Sequence, residues 1–496
     1  MNNTFSIADR SSKFPEADIG PETAGGNCAG SSNAHLLSII PRGEVIRNFV
    51  HSGCLDLVAD EAKVSLLSVT VGSELADVDS RGTKDLYALD PVEERWPVRF
   101  QREILDLAHG RWLWSKAAQE RWRVRDHEAR TIRRRAIRSI KKLLALPFAN
   151  DLGIAMLSRS ERFCSRLLNP TQDFIELYRS IKPTLVFNGS HIHSAIATPA
   201  IQAAQWLGIP TATFIFSWDN LTSQGRIMLP YEYFLVWNDD LKQQLTQMYR
   251  WIRPENVFVT GTPQFDHHFR PEFYWSREKF CSEVGADSER PIVLYSTGMA
   301  NHMPGEPQIV ESIADMLAEY GEDRRPQLLV RVYAKDLTGR FDELKDRRKD
   351  IIFQRVEWDP SWQTPKYADS YGLINALRHC SVGINIASTL SLELCMFDKP
   401  VINVAYDPPG GNDRGLKNSR FYSFEHYKPV ADCGAVDLAD SPEAMNELIR
   451  ACLADPGKRS KQRRELISKM FGTTLDGRSA TRVANVLLDL SCRGEI

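Results

Sequence analysis

Apolar positions along this chain fall into short runs separated by longer amphipathic stretches, the rhythm of alternating strands and helices. His35-Leu-Leu-Ser-Ile-Ile40 is a compact apolar run ending at Pro41, which predicts a buried strand followed by a turn. Residues 44–59 then carry apolar side chains at Val45, Ile46, Phe49, Val50 and Leu57 behind the acidic Glu44, as an amphipathic helix would. A second strand is expected at 64–71, so the chain opens as a βαβ unit. Further strands are expected at 183–188, 211–216, 234–237 and 257–260, with helices at 95–145, 174–181 and 192–207. Gly208 stops the last of these.

Around 270–290 the sequence turns polar and charged, and the pattern then restarts. Strands are expected at 291–295, 328–332, 350–353, 382–386 and 401–404, with helices at 307–320 and 390–397. Residues 441–489 read as helical apart from a turn at Asp476-Gly477. Two such runs predict an α/β protein of two Rossmann-like domains, each with a mainly parallel sheet covered on both faces, meeting at a cleft. The expected divisions are a polar, disordered segment 1–33, an N-terminal acceptor domain 34–272 and a C-terminal donor domain 285–477. A basic helical insertion is expected at about 95–150, and a last helix, 478–496, that crosses back to the first domain.

Bulk composition narrows the picture little. A length of 496 residues suits two or three domains, and 43% hydrophobic with 25% charged residues is ordinary globular usage. A net charge of −2 supplies no global attraction to nucleic acid or anionic membranes, so any such attraction is local. The nine cysteines are scattered without a C-x-x-C pair, which argues against a disulfide framework or structural zinc. The first residues lack the apolar core of a signal peptide, and no stretch approaches the roughly 20 apolar residues that span a bilayer. A cytoplasmic location, peripheral on the inner membrane face, is the expectation.

Candidate chemistry sits where strands end, because doubly wound sheets bind ligands beyond their carboxyl ends. In the second half these places hold Ser296-Thr297-Gly298, Arg331, Trp358 and Ser388-Thr389-Leu390-Ser391-Leu392-Glu393. Hydroxyls and free N–H groups at a strand-to-helix junction attract phosphate, and Glu393 can accept bonds from ribose hydroxyls. The same residues also read as a capping box. Arg331 suits bidentate pairing with phosphate, or equally a structural ion pair. Trp358 can stack on a base or fill a loop. In the first half His191 and Asp219 follow strands and can serve as general base for an acceptor hydroxyl; each also reads as a turn or helix-start residue. Asp77-Val78-Asp79 matches a metal-holding D-x-D but lies in a polar loop of the first domain, and a metal is not expected.

The segment Cys380-Ser-Val-Gly-Ile-Asn-Ile-Ala-Ser-Thr-Leu-Ser-Leu-Glu-Leu-Cys-Met-Phe-Asp-Lys-Pro-Val-Ile402 resembles the donor-binding segment of glycosyltransferases built from two Rossmann-like domains, the GT-B type. Val259-Thr-Gly-Thr-Pro-Gln-Phe-Asp266, Ser296-Thr-Gly298 and Asp476-Gly-Arg-Ser-Ala480 are similar too, so the resemblance covers about 180–490. Teichoic-acid-type glycerophosphotransferases and non-hydrolysing sugar-nucleotide 2-epimerases share the architecture. The resemblance implies that Ser388, Thr389 and Ser391 hold the diphosphate of a nucleotide-sugar co-substrate and Glu393 its ribose. It implies no further cofactor, since this type neutralises phosphate with helix dipoles and basic side chains. The expected activity is transfer of a sugar to a glycan or lipid-linked acceptor in surface polysaccharide synthesis. A 2-epimerase and a non-catalytic partner subunit are the alternatives; Pro41-Arg-Gly-Glu44 only faintly echoes the epimerases' Gly-Thr-Arg-Pro-Glu opening.

Residues 121–142 are strongly basic, with Trp112, Trp114 and Trp122 beside or within them. Arg133, Arg134, Arg135 and Arg138 are expected to contact an anionic membrane surface or the acceptor, the alternative being a solvated, salt-bridged helix. No recognised nucleic-acid motif accompanies the charge.

Overall fold

The computed structural model describes residues 33–70, 85–169, 171–322, 325–360, 363–408 and 417–493, without the side chains of 193 and 194. The expected disordered segment up to residue 32 and Asp77-Val78-Asp79 lie outside the described residues.

The first sheet is built from β1 (His35–Ile40), β2 (Lys63–Ser68), β3 (Asp85–Ala88), β4 (Leu185–Asn188), β5 (Thr211–Phe214), β6 (Tyr233–Val236) and β7 (Val257–Val259). Its order is β3-β2-β1-β4-β5-β6-β7, and every neighbouring pair is parallel. The second half contributes β8 (Ile292–Ser296), β9 (Gln327–Arg331), β10 (Ile351–Phe353), β11 (Trp358–Asp359), β12 (Thr364–Pro365), β13 (Val382–Asn385), β14 (Val401–Val404) and β15 (Asp437–Ala439). Six of these form a second all-parallel sheet, β10-β9-β8-β13-β14-β15, while β11 and β12 pair as a small antiparallel hairpin. The central strands are buried along their whole length, as helices on both faces of a parallel sheet require. Each order reverses at its centre, at β1/β4 and β8/β13, and a crevice opens beyond the carboxyl ends there.

Two expectations are adjusted. The helix expected at 44–59 is broken: Glu44–Ile46 runs into a π-type turn, Arg47–His51, and Gly53 at φ +81° separates it from Cys54–Ala59. The helical block after Trp96 consists of Trp96–Leu113, Lys116–Glu128 and Ile132–Ala145, and it continues through Asp151–Leu168.

Two motif segments far apart in sequence tie the domains together. The helix Ser479–Arg493 packs on the first domain, where Val483 and Leu487 join the core of Leu36 and Ile39. The Asp266 carboxylate caps it, accepting N–H bonds from Ser479 (3.1 Å) and Ala480 (2.7 Å). Gly261, at φ +75°, lies so close that a Cβ would stand 2.5 Å from Ser479 Oγ.

Burial also sets a pH response. Desolvation lowers the pKa of His51, His191 and His379 to about 4 and of His109 and His267 to about 3. These imidazoles are neutral in the fold but protonate near 6.5 when unfolded, so below that pH the unfolded chain binds more protons. Stability is therefore complete above about 6.5 and falls as pH drops toward 4, by up to roughly 1.4 kcal/mol per pH unit for each group. Glu306, pushed up to about 7 by burial, opposes this, as do Asp266 and Glu232, which burial also raises. Urea unfolding between pH 7 and 4.5 is expected to show a falling midpoint; a constant or rising midpoint would contradict it.

Candidate functional site

A cleft of about 510 Å³ lies between the carboxyl ends of the two sheets. From the second domain it receives the turns after β8, β9 and β13; from the first, the turn after β5 and the stretch around Glu44 and Arg47. Ser296, Thr297, Gly298, Arg331, Trp358, Ser388, Thr389, Glu393 and Asp219 all line it. His191 and Ser391 do not.

The junction after β13 is wound tightly. Ala387 takes a left-handed conformation, φ +42°, uncommon for a residue with a Cβ and a source of local backbone strain. Ser388 Oγ accepts from Leu390 N (3.2 Å), so this hydroxyl caps the following helix. That helix, Leu390–Met396, has only seven residues, so hydroxyls rather than a long macrodipole supply most of the polarity here. Thr389 Oγ1 accepts from Trp218 Nε1 of the other domain at 3.2 Å. Glu393 does not close a capping box. Its Oε2 accepts a bond from His268 Nε2 (3.0 Å), and Oε1 has no bond among the described residues. Ser391 is turned into the sheet, where it bonds Asn385 and accepts from Asn403 and Tyr427, so the expectation that it holds phosphate is corrected.

Around β8 and β9 the groups are more fully engaged. The Gly298 N–H donates to the buried Glu306 carboxylate, which also takes Tyr295 Oη and Arg340. Gly298 therefore shapes the wall rather than offering a donor. Thr297 Oγ1 accepts from Tyr333 N at 2.8 Å. Arg331 Nη2 reaches both oxygens of Asp369 (2.8 and 2.7 Å), the structural ion pair of the two readings. Its Nη1 is buried without a partner among the described residues. Asp369 also accepts from Trp358 Nε1 (2.9 Å) and Glu357 N (3.1 Å), which fixes the indole at the rim.

Across the cleft, Asp219 accepts from Ser223 Oγ (2.7 Å) and Asn220 Nδ2 (3.3 Å). Trp218 beside it packs edge-on against His426 (5.5 Å). His426 is held below its usual pKa by burial, against the pull of Asp219. Glu44 pairs with Arg42 (3.0 Å) and, across the domains, with Lys335. Arg47 donates to Gln264 at 2.8 Å. A Cβ on Gly43 would stand 2.6 Å from Thr364 Cα in β12, so glycine permits this approach of the two domains.

Solved structures share this architecture along nearly the whole chain. The UDP-GlcNAc 2-epimerase from Neisseria meningitidis, bound to UDP-GlcNAc, superposes with a TM-score of 0.52 at 13% identity, covering 92% of this chain and 99% of its own. The S. aureus MnaA–UDP structure gives 0.51 at 11%, covering 90% and 94%. The putative UDP-N-acetylglucosamine 2-epimerase from Listeria monocytogenes gives 0.51 at 13%, with the same coverage. The fold is GT-B. No family model matches the sequence, and no curated protein matches it.

Within this GT-B fold, His191 needs relocation. It sits in the turn His191–His193, 3% exposed, with Nδ1 against the Phe214 carbonyl (3.3 Å). It lines a separate cavity of about 650 Å³, beneath the helical insertion, together with Arg134, Arg138 and Arg226. The ring packs against the exit of β5 and opens on this second cavity, so the expectation that His191 faces the cleft is corrected.

The four membrane-candidate arginines are also sorted by the fold. Arg138 is ion-paired to Asp126, and Arg135 Nε donates to the Ala129 carbonyl (3.0 Å). Arg133 is exposed, whereas Arg134 borders the cavity just described. Trp114 and Trp122 pack edge-on at 5.2 Å, covered by Arg111 and Lys142. Sequence reasoning missed His426, Arg47 and Gln264 as cleft residues. None of them directly follows a strand, so no register points to them.

Proposed function

We propose that this chain is a glycosyltransferase that moves a sugar from a nucleotide-sugar donor to a hydroxyl of a glycan or lipid-linked acceptor in surface polysaccharide synthesis. The observation that carries the reading is the Trp218–Thr389 hydrogen bond, which holds the Asp219 loop against the Ser388–Glu393 junction. Donor and acceptor groups then share one cleft. Glu393 Oε1 takes the ribose hydroxyls, Trp358 offers its ring to the base, and Ser388 and Thr389 meet the diphosphate, with the Arg331–Asp369 pair in the wall behind them. Thr297 shapes the turn that faces them, beside Ser296.

In the transfer step the acceptor oxygen attacks the anomeric carbon and the carbon–oxygen bond to the diphosphate breaks. The nucleoside diphosphate leaves, stabilised by those donors, and the acceptor proton passes to Asp219. No metal is needed in this reading. UDP is the first nucleotide to try, because two of the structural neighbours hold UDP or UDP-GlcNAc.

A thermal-shift screen of UDP, GDP, CDP, TDP and CMP tests the reading, followed by incubation with the matching sugar nucleotide. Acceptor-dependent release of nucleoside diphosphate is the expected result. An isomerised sugar nucleotide without net release would establish a 2-epimerase instead. No shift with any nucleotide would leave a non-catalytic subunit.

A further inference from the structure

The helices Ile132–Ala145 and Asp151–Leu168 are turned inside out relative to a soluble protein. On Asp151–Leu168 the buried residues are Gly153, Ser158, Glu161 and Ser165. The exposed stripe is Leu152, Met156, Phe163 and Leu167, at 71%, 59%, 64% and 65% exposure. These positions repeat as one face of a helix. On Ile132–Ala145 the only buried residue is Ala145, while Ile140 and Leu143 face solvent. Its basic side faces the protein: Arg138 and Lys142 pair with Asp126, and Lys141 with Glu103. The ion pairs hold the apolar side outward, so its exposure is built into the fold.

We propose that these two helices form a docking surface that lies in the plane of an anionic lipid bilayer. Charge selects this occupant. Arg133, Arg159 and Arg166 are exposed on the same two helices. Ile132–Ala145 contains no acidic residue. On its neighbour, Glu161 is buried against Arg102, and Asp151 stands at the first turn, 3.7 Å from Arg250. An apolar stripe rimmed by arginines with almost no exposed carboxylate matches acyl chains beneath anionic headgroups. Among the described residues no helix is long and apolar enough to cross a membrane, so the helices rest on the surface. The proposal stands apart from the transfer reading: a bilayer is bound whatever the cleft catalyses.

Flotation of the full chain with phosphatidylcholine vesicles, with and without phosphatidylglycerol, tests it. Binding is expected only with phosphatidylglycerol and is expected to weaken as salt rises. The triple change Leu143→Ser, Phe163→Ser, Leu167→Ser should lower vesicle binding by at least about tenfold, because those side chains supply the buried apolar area. The triple change Arg133→Ser, Arg159→Ser, Arg166→Ser should remove the lipid preference and the salt dependence. All six side chains are exposed, so thermal unfolding should be unchanged in both variants. Absence of binding to anionic vesicles overturns the proposal, as does binding unaffected by the apolar change. Sedimentation velocity supplies the competing outcome: a dimer that the apolar change dissociates would assign the face to a second copy and overturn the lipid assignment.

Discussion

Replacing Glu393 with alanine is expected to raise the dissociation constant of the nucleotide about tenfold to hundredfold. A ribose hydroxyl bonded to a carboxylate is worth about 1.5–3 kcal/mol, and each 1.4 kcal/mol is a factor of ten. The geometry makes this side chain the sensitive one. Its Oε2 is committed to His268, which is stacked on Phe397 at 5.4 Å, so the carboxylate is aimed before any ligand arrives. Glu393→Gln keeps an acceptor and should fall between wild type and alanine. Calorimetry with UDP, or whichever nucleotide the screen selects, measures both. A thermal melt separates lost affinity from lost fold, because alanine also strips His268 of its partner. Unchanged affinity in a folded alanine variant would remove the ribose role.

Asp369→Ala is expected to cost the most stability, about 3–5 kcal/mol, as when one partner of a buried ion pair is removed. The Arg331 and Asp369 side chains are 9% and 8% exposed, and one carboxylate serves Arg331, Trp358 and the Glu357 N–H together. Its loss strands a guanidinium and frees the indole, so nucleotide affinity should fall along with stability. Urea unfolding gives the first quantity and calorimetry the second. Asp369→Asn keeps shape and one acceptor while losing charge, and should cost less than alanine. A loss below about 1 kcal/mol in the alanine variant would show that the pair is screened like a surface one.

Both predictions concern residues with different legibility. Glu393 was visible because it lies in the first turn of the helix that follows β13, and that spacing is local. Asp369 was not, because it sits in the helix Tyr367–His379 and gains meaning only from Arg331, thirty-eight positions earlier. Ser391 shows the limit of local reasoning from the other side. Sequence places it beside Ser388 and Thr389, but helical rotation turns its hydroxyl away from the cleft, into the Asn385–Asn403–Tyr427 network. His191 failed for a related reason: a strand end marks the right edge of the sheet, yet the following turn can fold over it or beneath it.

Alternation of buried runs with amphipathic stretches was sufficient by itself for two parallel α/β domains, since strand and helix periods are local properties of the chain. The half-exposed edge strand β3 escaped, because its side chains alternate in burial and never form an apolar run. The capping of the final helix by Asp266 and the Trp218–Thr389 contact were decided only by tertiary packing. So was the orientation of the helices after Thr131. Periodicity states that Ile132–Ala145 has an apolar and a basic side; it does not state which side meets the protein. Asp126 and Glu103, brought there by neighbouring helices, draw the basic side inward and leave the apolar side facing out.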